Sequence, residues 1–255
     1  MENATGSKTL ERGLELLELV ASGYNRLDDV ARLSGISRSS AHRMLSSLVA
    51  KKYLTLSVEH HYKLGVKLLE LGSQAEASLD LPAEVQGMLQ DISLKTRETC
   101  HLGVLDGTEV LYLAKSRGSR GVEMASRPGS RFQTQTTAMG KMLLSFEPRE
   151  TALAQFDPER TVTEFSIKTA AEFEAELAQI RERGYALDKQ ENELGLICVA
   201  IAIRDRQGAP VASVSISAPS VYMTEERISE LVELLNTYEP EFSRRLPPHF
   251  RDLWL

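Results

Sequence analysis

The chain has little of what marks several classes of protein. Among its 255 residues there are two cysteines, Cys100 and Cys198, far apart in sequence. That is no disulfide framework, so a secreted, disulfide-stapled fold is excluded and a reduced, cytoplasmic setting is expected. The longest apolar run, Leu194 to Ile203, is about half of what a bilayer-spanning helix needs, so no membrane partner is expected. The first residues mix Glu2, Lys8, Glu11, Arg12, Glu15 and Glu18 with apolar side chains, which is not a secretory leader. Low-complexity tracts and basic tails are missing, which argues against extended disorder. No glycine-rich phosphate loop occurs; 118-GSRG-121 and 129-GSR-131 read as plain loops. Cys100, His101, His60 and His61 satisfy no ligand spacing, so neither metal nor cofactor is expected. What remains is an ordinary globular composition, 42% hydrophobic and 26% charged, long enough for one large domain or two smaller ones.

The net charge of −6 hides an asymmetry. Residues 1–65 hold nine Lys and Arg against seven Asp and Glu, while the remainder holds 21 against 29. A slightly basic segment on an acidic body suggests division of labour, although an excess of this size also arises by chance. In the basic part, Leu10, Leu14, Leu17 and Val20 recur at helical spacing and predict a helix over 9–21. A short helix follows from Asp28, Gly35 stops it, and Ser37 is a good N-cap for a third helix over 38–51. The stripe Ala41, Met44, Leu45 and Leu48 faces inward. Ser39, Arg43 and Ser46 then point outward, flanked by Arg38, Ser40, His42 and Ser47. Two helices joined by a glycine turn, the second polar and cationic outward, make a helix-turn-helix pattern. The runs 53-YLTLS-57 and 61-HYKLG-65 predict a hairpin wing beside it. A small helical domain with a solvated face would share some of these features. Turn glycine, cationic face, hairpin and local charge together favour DNA, with residues 37–47 as the reading helix and Lys51 and Lys52 as phosphate contacts.

A helix over 66–77 leads to Leu79-Asp80-Leu81-Pro82, where the chain breaks. Domains of 1–65 and 81–255 with a linker helix at 66–80 are therefore expected. The body alternates strands and helices and predicts an α+β domain with an antiparallel sheet. Asp106-Gly107 marks a hairpin, Thr136 or Thr137 caps a short helix, and Thr169 with Glu172 has capping-box spacing. The pair 198-CVAIAIR-204 and 211-VASVSIS-217 is the most informative. Alternation puts Val199, Ile201, Ile203, Val214 and Ile216 on one sheet face, and Cys198, Ala200, Ala202, Ser213, Ser215 and Ser217 on the other. With Arg204 opposite Val211, Cys198 faces Ser217 and Ala200 faces Ser215. A small, hydroxylic face leaves room for a ligand, or equally for a tightly packed helix.

The runs TLERGLELLE, LDDVARLSGISRSSAHRMLSSLVAKKYL and YKLGVKLLELG resemble the winged helix-turn-helix domain of IclR-type transcription regulators. TTAMGKMLL, ERGYALD, LGLICVAIAIRD and ASVSISAPS resemble the GAF-like effector-binding domain of the same family. The resemblance covers residues 9–246. It implies a regulator whose binding to a palindromic operator on double-stranded DNA is modulated by a small carboxylate: a hydroxy- or keto-acid, or a sugar acid. The carboxylate would sit on the backbone amides of Ala138 and Met139, with Asp188, Leu196, Cys198, Ser215 and Ser217 around it. The match departs from the commoner pattern at Gln133, Gln135 and Met139. A homodimer through 9–21 and 66–78 is expected, since the first helix carries more apolar residues than a tiny domain can bury. The resemblance also allows a tetramer built from dimers. The reading from another class is a cytoplasmic enzyme acting on a small acid, with Cys198 as nucleophile aided by His101 and Asp188. Nothing in the sequence places His101 beside Cys198, and no cysteine-enzyme motif surrounds it, so no catalytic residue is expected.

Overall fold

The computed structural model describes residues 7–78, 83–120, 124, 126–246 and 250. The expected break at Leu79–Pro82 lies outside the described residues. Internal contacts divide the chain into residues 1–80 and 81–255. No helix among the described residues is long and apolar enough to cross a membrane.

In the first unit, α1 (Lys8–Ala21), α2 (Leu27–Ser34) and α3 (Arg38–Ala50) are followed by β1 (Leu54–Leu56), β2 (Tyr62–Leu64) and α4 (Val66–Ser78). Gly35 ends α2 in the left-handed region, and Ser37 caps α3 by accepting the Ser40 N–H at 3.3 Å. The core joins Leu16, Val20, Val30, Ala31, Ala41, Leu45, Leu54 and Tyr62. The apolar stripe of α1 is split. Leu16 and Val20, one turn apart, face the core, whereas Leu10 and Leu14 are 63% and 50% exposed. β1 and β2 pair antiparallel, and the Tyr62 N–H donates to the Asn25 carbonyl at 2.8 Å, fixing the hairpin to the connection between α1 and α2.

A Schellman arrangement at the end of α3 has no sequence signature. Lys52 takes the left-handed φ of 64° that usually goes to glycine. The Lys52 N–H donates to the Val49 carbonyl and the Tyr53 N–H to that of Leu48, both at 2.9 Å. A Cβ on Gly65 would lie 2.1 Å from the Lys52 carbonyl oxygen, so only glycine lets the chain leave β2 across this turn and start α4.

The second unit begins with α5 (Ala83–Thr96) and the strands β3 (Thr99–Asp106), β4 (Glu109–Ser116) and β5 (Arg131–Gln133). Then come α6 (Ala138–Leu144), α7 (Arg149–Leu153), α8 (Ala170–Arg183), β6 (Ala186–Lys189), β7 (Leu196–Arg204), β8 (Pro210–Pro219) and α9 (Glu225–Arg245). The strands form one antiparallel sheet in the order β5-β4-β3-β8-β7-β6. Val199, Ile201, Ile203, Val214 and Ile216 join Leu89 and Ile92 of α5 and Leu231 and Leu235 of α9 in one core. Ala200 and Ala202, on the other face, join Met139 and Met142 of α6 and Phe173, Leu177 and Ile180 of α8. Thr169 and Glu172 form the capping box of α8, and Gly184 closes it in the left-handed region.

The β7–β8 register differs from expectation in one place. Arg204 pairs with Pro210, not Val211, because a bulge separates Ile203 from Arg204. Pro210 has no N–H to give to a ladder, and the turn closes instead through the Asp205 N–H on the Ala209 carbonyl at 2.8 Å. The inner pairs Cys198–Ser217, Ala200–Ser215 and Ala202–Ser213 lie beyond the bulge in the expected register. The whole chain is thus mixed α and β, an N-terminal winged helix-turn-helix followed by an antiparallel-sheet domain.

Candidate DNA-reading face and candidate effector cavity

Leu27, Arg38, Ser39, His42 and Arg43 line one open depression at the junction of α2 and α3. Ser39, His42 and Arg43 are exposed, and the Arg43 guanidinium reaches the Ser40 hydroxyl at 3.4 Å. Two of the expected contacts are already engaged. The half-buried Ser40 hydroxyl accepts from the Ser37 hydroxyl at 3.0 Å, and Arg38 is ion-paired with Asp28 of α2. Lys51 and Lys52 are exposed at the opposite end of α3.

In the second unit the small sheet face is shared between both occupants its composition suits. α6 packs over Ala200 and Ala202, while a cavity of about 40 Å³ opens beside it. Ala138, Met139, Asp188, Leu196, Cys198, Ser215 and Ser217 all line that cavity. It is placed by α6, and α6 is placed by sequence. The Thr137 hydroxyl accepts the Gly140 N–H at 3.1 Å, and its carbonyl takes the Lys141 N–H. A Cβ on Gly140 would lie 2.3 Å from the Thr134 carbonyl oxygen, so glycine lets the helix start pack against the preceding strap. In the first turn the amides of Ala138 and Met139 are left without a partner among the described residues.

Asp188 is buried, and its Oδ1 accepts the N–H of Glu191 at 2.7 Å and of Asn192 at 3.3 Å. Burial, reinforced by the Glu191 charge, raises its carboxyl to about 7, against the opposing pull of Lys141 and these amides. Behind it, Lys141 of α6 is 1% exposed and ion-paired with Glu191, a buried pair that sequence reading missed inside TTAMGKMLL. A lysine at helical spacing reads as solvent-facing; only the tertiary position of Glu191 makes it internal. The cavity also takes in His101, Tyr112, Ser126, Phe132, Thr137 and Asn192. His101 comes to the cavity because β3 pairs with β8, which sets it opposite Ser215, a long-range pairing without a local signal. Gln133 and Gln135, where the sequence departs from the commoner pattern, are not among its walls. The Gln135 side chain instead holds the backbone of Asp157, accepting its N–H at 2.8 Å and donating to its carbonyl at 2.9 Å.

Cys198, His101 and Asp188 therefore share one cavity, which the strand pattern did not foretell. Their electrostatics oppose nucleophilic chemistry. Burial and the Asp188 charge push the Cys198 thiol well above its usual range. Burial, aided by the Lys115 charge, lowers His101 to about 3. A thiol held protonated in one cavity with a very weak base is the reverse of an activated pair. Among the described residues no group of three or more His, Cys, Asp or Glu could hold a metal ion.

A winged helix-turn-helix with an exposed cationic helix, on a chain with a separate sheet domain holding a small polar cavity, points to a DNA-binding transcriptional regulator. The family model for the IclR helix-turn-helix domain matches residues 9–56, and that for the bacterial transcriptional regulator IclR C-terminal domain matches residues 73–244. The transcriptional regulator XynR of Escherichia coli is 32% identical over 94% of this chain and 97% of its own length. KdgR of the same organism is 34% identical over 91% and 90%. The crystal structure of the Thermotoga maritima IclR aligns with a TM-score of 0.71 at 33% identity, covering 93% of this chain and 98% of that one. The chain belongs to the IclR family of transcriptional regulators.

Proposed function

We propose that residues 1–65 read a palindromic DNA operator and that residues 81–255 bind a small carboxylate that modulates that reading, with residues 66–80 as linker and the cytoplasm as the setting. Ser39, His42 and Arg43 reach base edges, Arg38 and Ser40 organise the start of α3, and Lys51 and Lys52 meet phosphates. For Arg38 this means exchanging Asp28 for a phosphate oxygen. The observation that carries the effector reading is the pair of free amides at Ala138 and Met139 on a cavity otherwise lined by hydroxyls, a thiol and a carboxyl. Such amides suit an anion. Asp188, repelled by the ligand's carboxylate, serves its hydroxyl end. Family membership and the depressed His101 both weigh against an enzyme. A homodimer brings two reading helices to the two half-sites. Leu10 and Leu14 of α1 and the 70% exposed Leu69 of α4 supply its apolar surface.

A thermal-shift screen of the full chain with small carboxylates tests the effector reading. An acid that raises the melting temperature in the parent, and needs a higher concentration in Ser215→Ala, supports it. Equal response of Ser215→Ala and Asp188→Ala to that acid would remove the cavity from the account.

A further inference from the structure

The sheet register sorts the cavity's polar groups into two ends. Thr99, Ser217, Cys198 and Asp188 lie in one row across the strands; His101, Ser215, Ala200 and Ala186 lie in the next. Asp188 on β6 and His101 on β3 stand three strands apart, with β7 and β8 between them. The proposed function uses the Asp188 end and the α6 amides. It leaves His101, beside Ser215 in the second row, without a task.

At that end His101 is 2% exposed, with its ring 5.0 Å from that of Tyr112. Its Nε2 is 2.8 Å from the Ser126 hydroxyl. Its Nδ1 is buried and has no hydrogen-bond partner among the described residues. A buried ring nitrogen without a partner is costly and uncommon, and here the ring is a wall of a cavity. A neutral imidazole has one donor and one acceptor nitrogen. A ligand hydroxyl satisfies Nδ1 in either tautomer, as donor or as acceptor, whereas a carboxylate satisfies only the protonated one.

We propose that His101 is a second recognition point of the effector cavity, binding through Nδ1 a hydroxyl remote from the acid group, so that the effector is a polyhydroxylated acid. This rests on the effector reading above. It makes His101 the specificity-determining residue of the cavity: the α6 amides take any small acid, and His101 selects those with a hydroxyl further along the chain. Ser126 sets the ring by holding Nε2, and Tyr112 supports its face.

Calorimetry on the full chain compares threonate with alpha-hydroxybutyrate and gluconate with alpha-hydroxycaproate, pairs that differ only in the remote hydroxyls. In the parent, the polyhydroxylated member of at least one pair should bind at least tenfold more tightly. In His101→Leu that preference should vanish while the monohydroxy acid still binds, and His101→Gln should restore part of it. Equal binding of both members of each pair by the parent, or an unchanged preference in His101→Leu, overturns the assignment even while the cavity remains an acid site. Should His101→Leu fail to fold, the parent's discrimination between the paired acids decides alone. If no acid binds the parent, the effector reading itself falls and takes this assignment with it.

Discussion

At the scale of single residues, the informative side chains are those whose surroundings contradict their type. Asp188 is one, because its carboxyl is raised from 3.8 to about 7 by burial. Between about pH 4 and 7 the native state therefore keeps a proton that the unfolded chain has lost. Stability then falls as pH rises through that window, at about 1.4 kcal/mol per unit of pKa difference, so by a few kcal/mol in all. Asp188→Asn has no proton to lose. Denaturant unfolding from pH 4.5 to 7.5 should show a flatter pH dependence for that variant than for the parent, and superimposable slopes would contradict the burial argument. Arg43 is the corresponding residue of the DNA face. Arg43→Ala should weaken specific binding by roughly 1–3 kcal/mol if it reaches a base edge. Neutralising Lys51 should instead weaken binding to all sequences alike and reduce the salt slope. A mobility-shift titration with unchanged specific affinity for Arg43→Ala removes its base contact.

At the scale of elements, most of the fold was legible. Period and caps placed α3 after Ser37, α6 after Thr136 or Thr137 and α8 after Thr169, because caps and periodicity are local chemistry that tertiary context here leaves alone. Alternation gave the two faces of β7 and β8. What was not legible came from pairing between distant strands and from exceptions to residue preference. The Arg204 bulge is invisible because bulges change count, not composition. Lys52 hides a left-handed turn that a glycine would have advertised. Lys52→Gly should therefore stabilise the first unit by about 1 kcal/mol, relieving the backbone cost of a side chain in that conformation. Gly65→Ala should destabilise it by ~1–3 kcal/mol or more, since its Cβ meets a backbone oxygen that cannot move away. Thermal unfolding of both variants checks the pair; a neutral Gly65→Ala would mean the approach to Lys52 is not tight.

At the scale of the whole molecule, sequence and structure divide the work along the chain: a cationic reading helix in the first unit, a small polar cavity in the second. The family was legible from motif runs, and seven cavity residues from the same resemblance. The His101 end and the Lys141–Glu191 pair were not, since both exist only once the sheet is assembled. Association belongs to this scale too. Leu14→Glu combined with Leu69→Glu should convert a dimer to a monomer in light scattering and abolish binding to a palindrome while sparing the fold. A parent that is already monomeric at micromolar concentration would contradict the proposed assembly. Occupancy of the cavity should change DNA reading. The most direct measurement is the anisotropy of a labelled palindromic duplex, selected from random sequence, titrated with the full chain with and without a saturating cavity-binding acid. The prediction is a shift in DNA affinity of roughly 5–150-fold, the usual range of coupling between two sites. In Ser215→Ala that shift should need more acid while the acid-free affinity stays put. An acid that saturates the cavity by calorimetry yet leaves the DNA titration unmoved would contradict the claim.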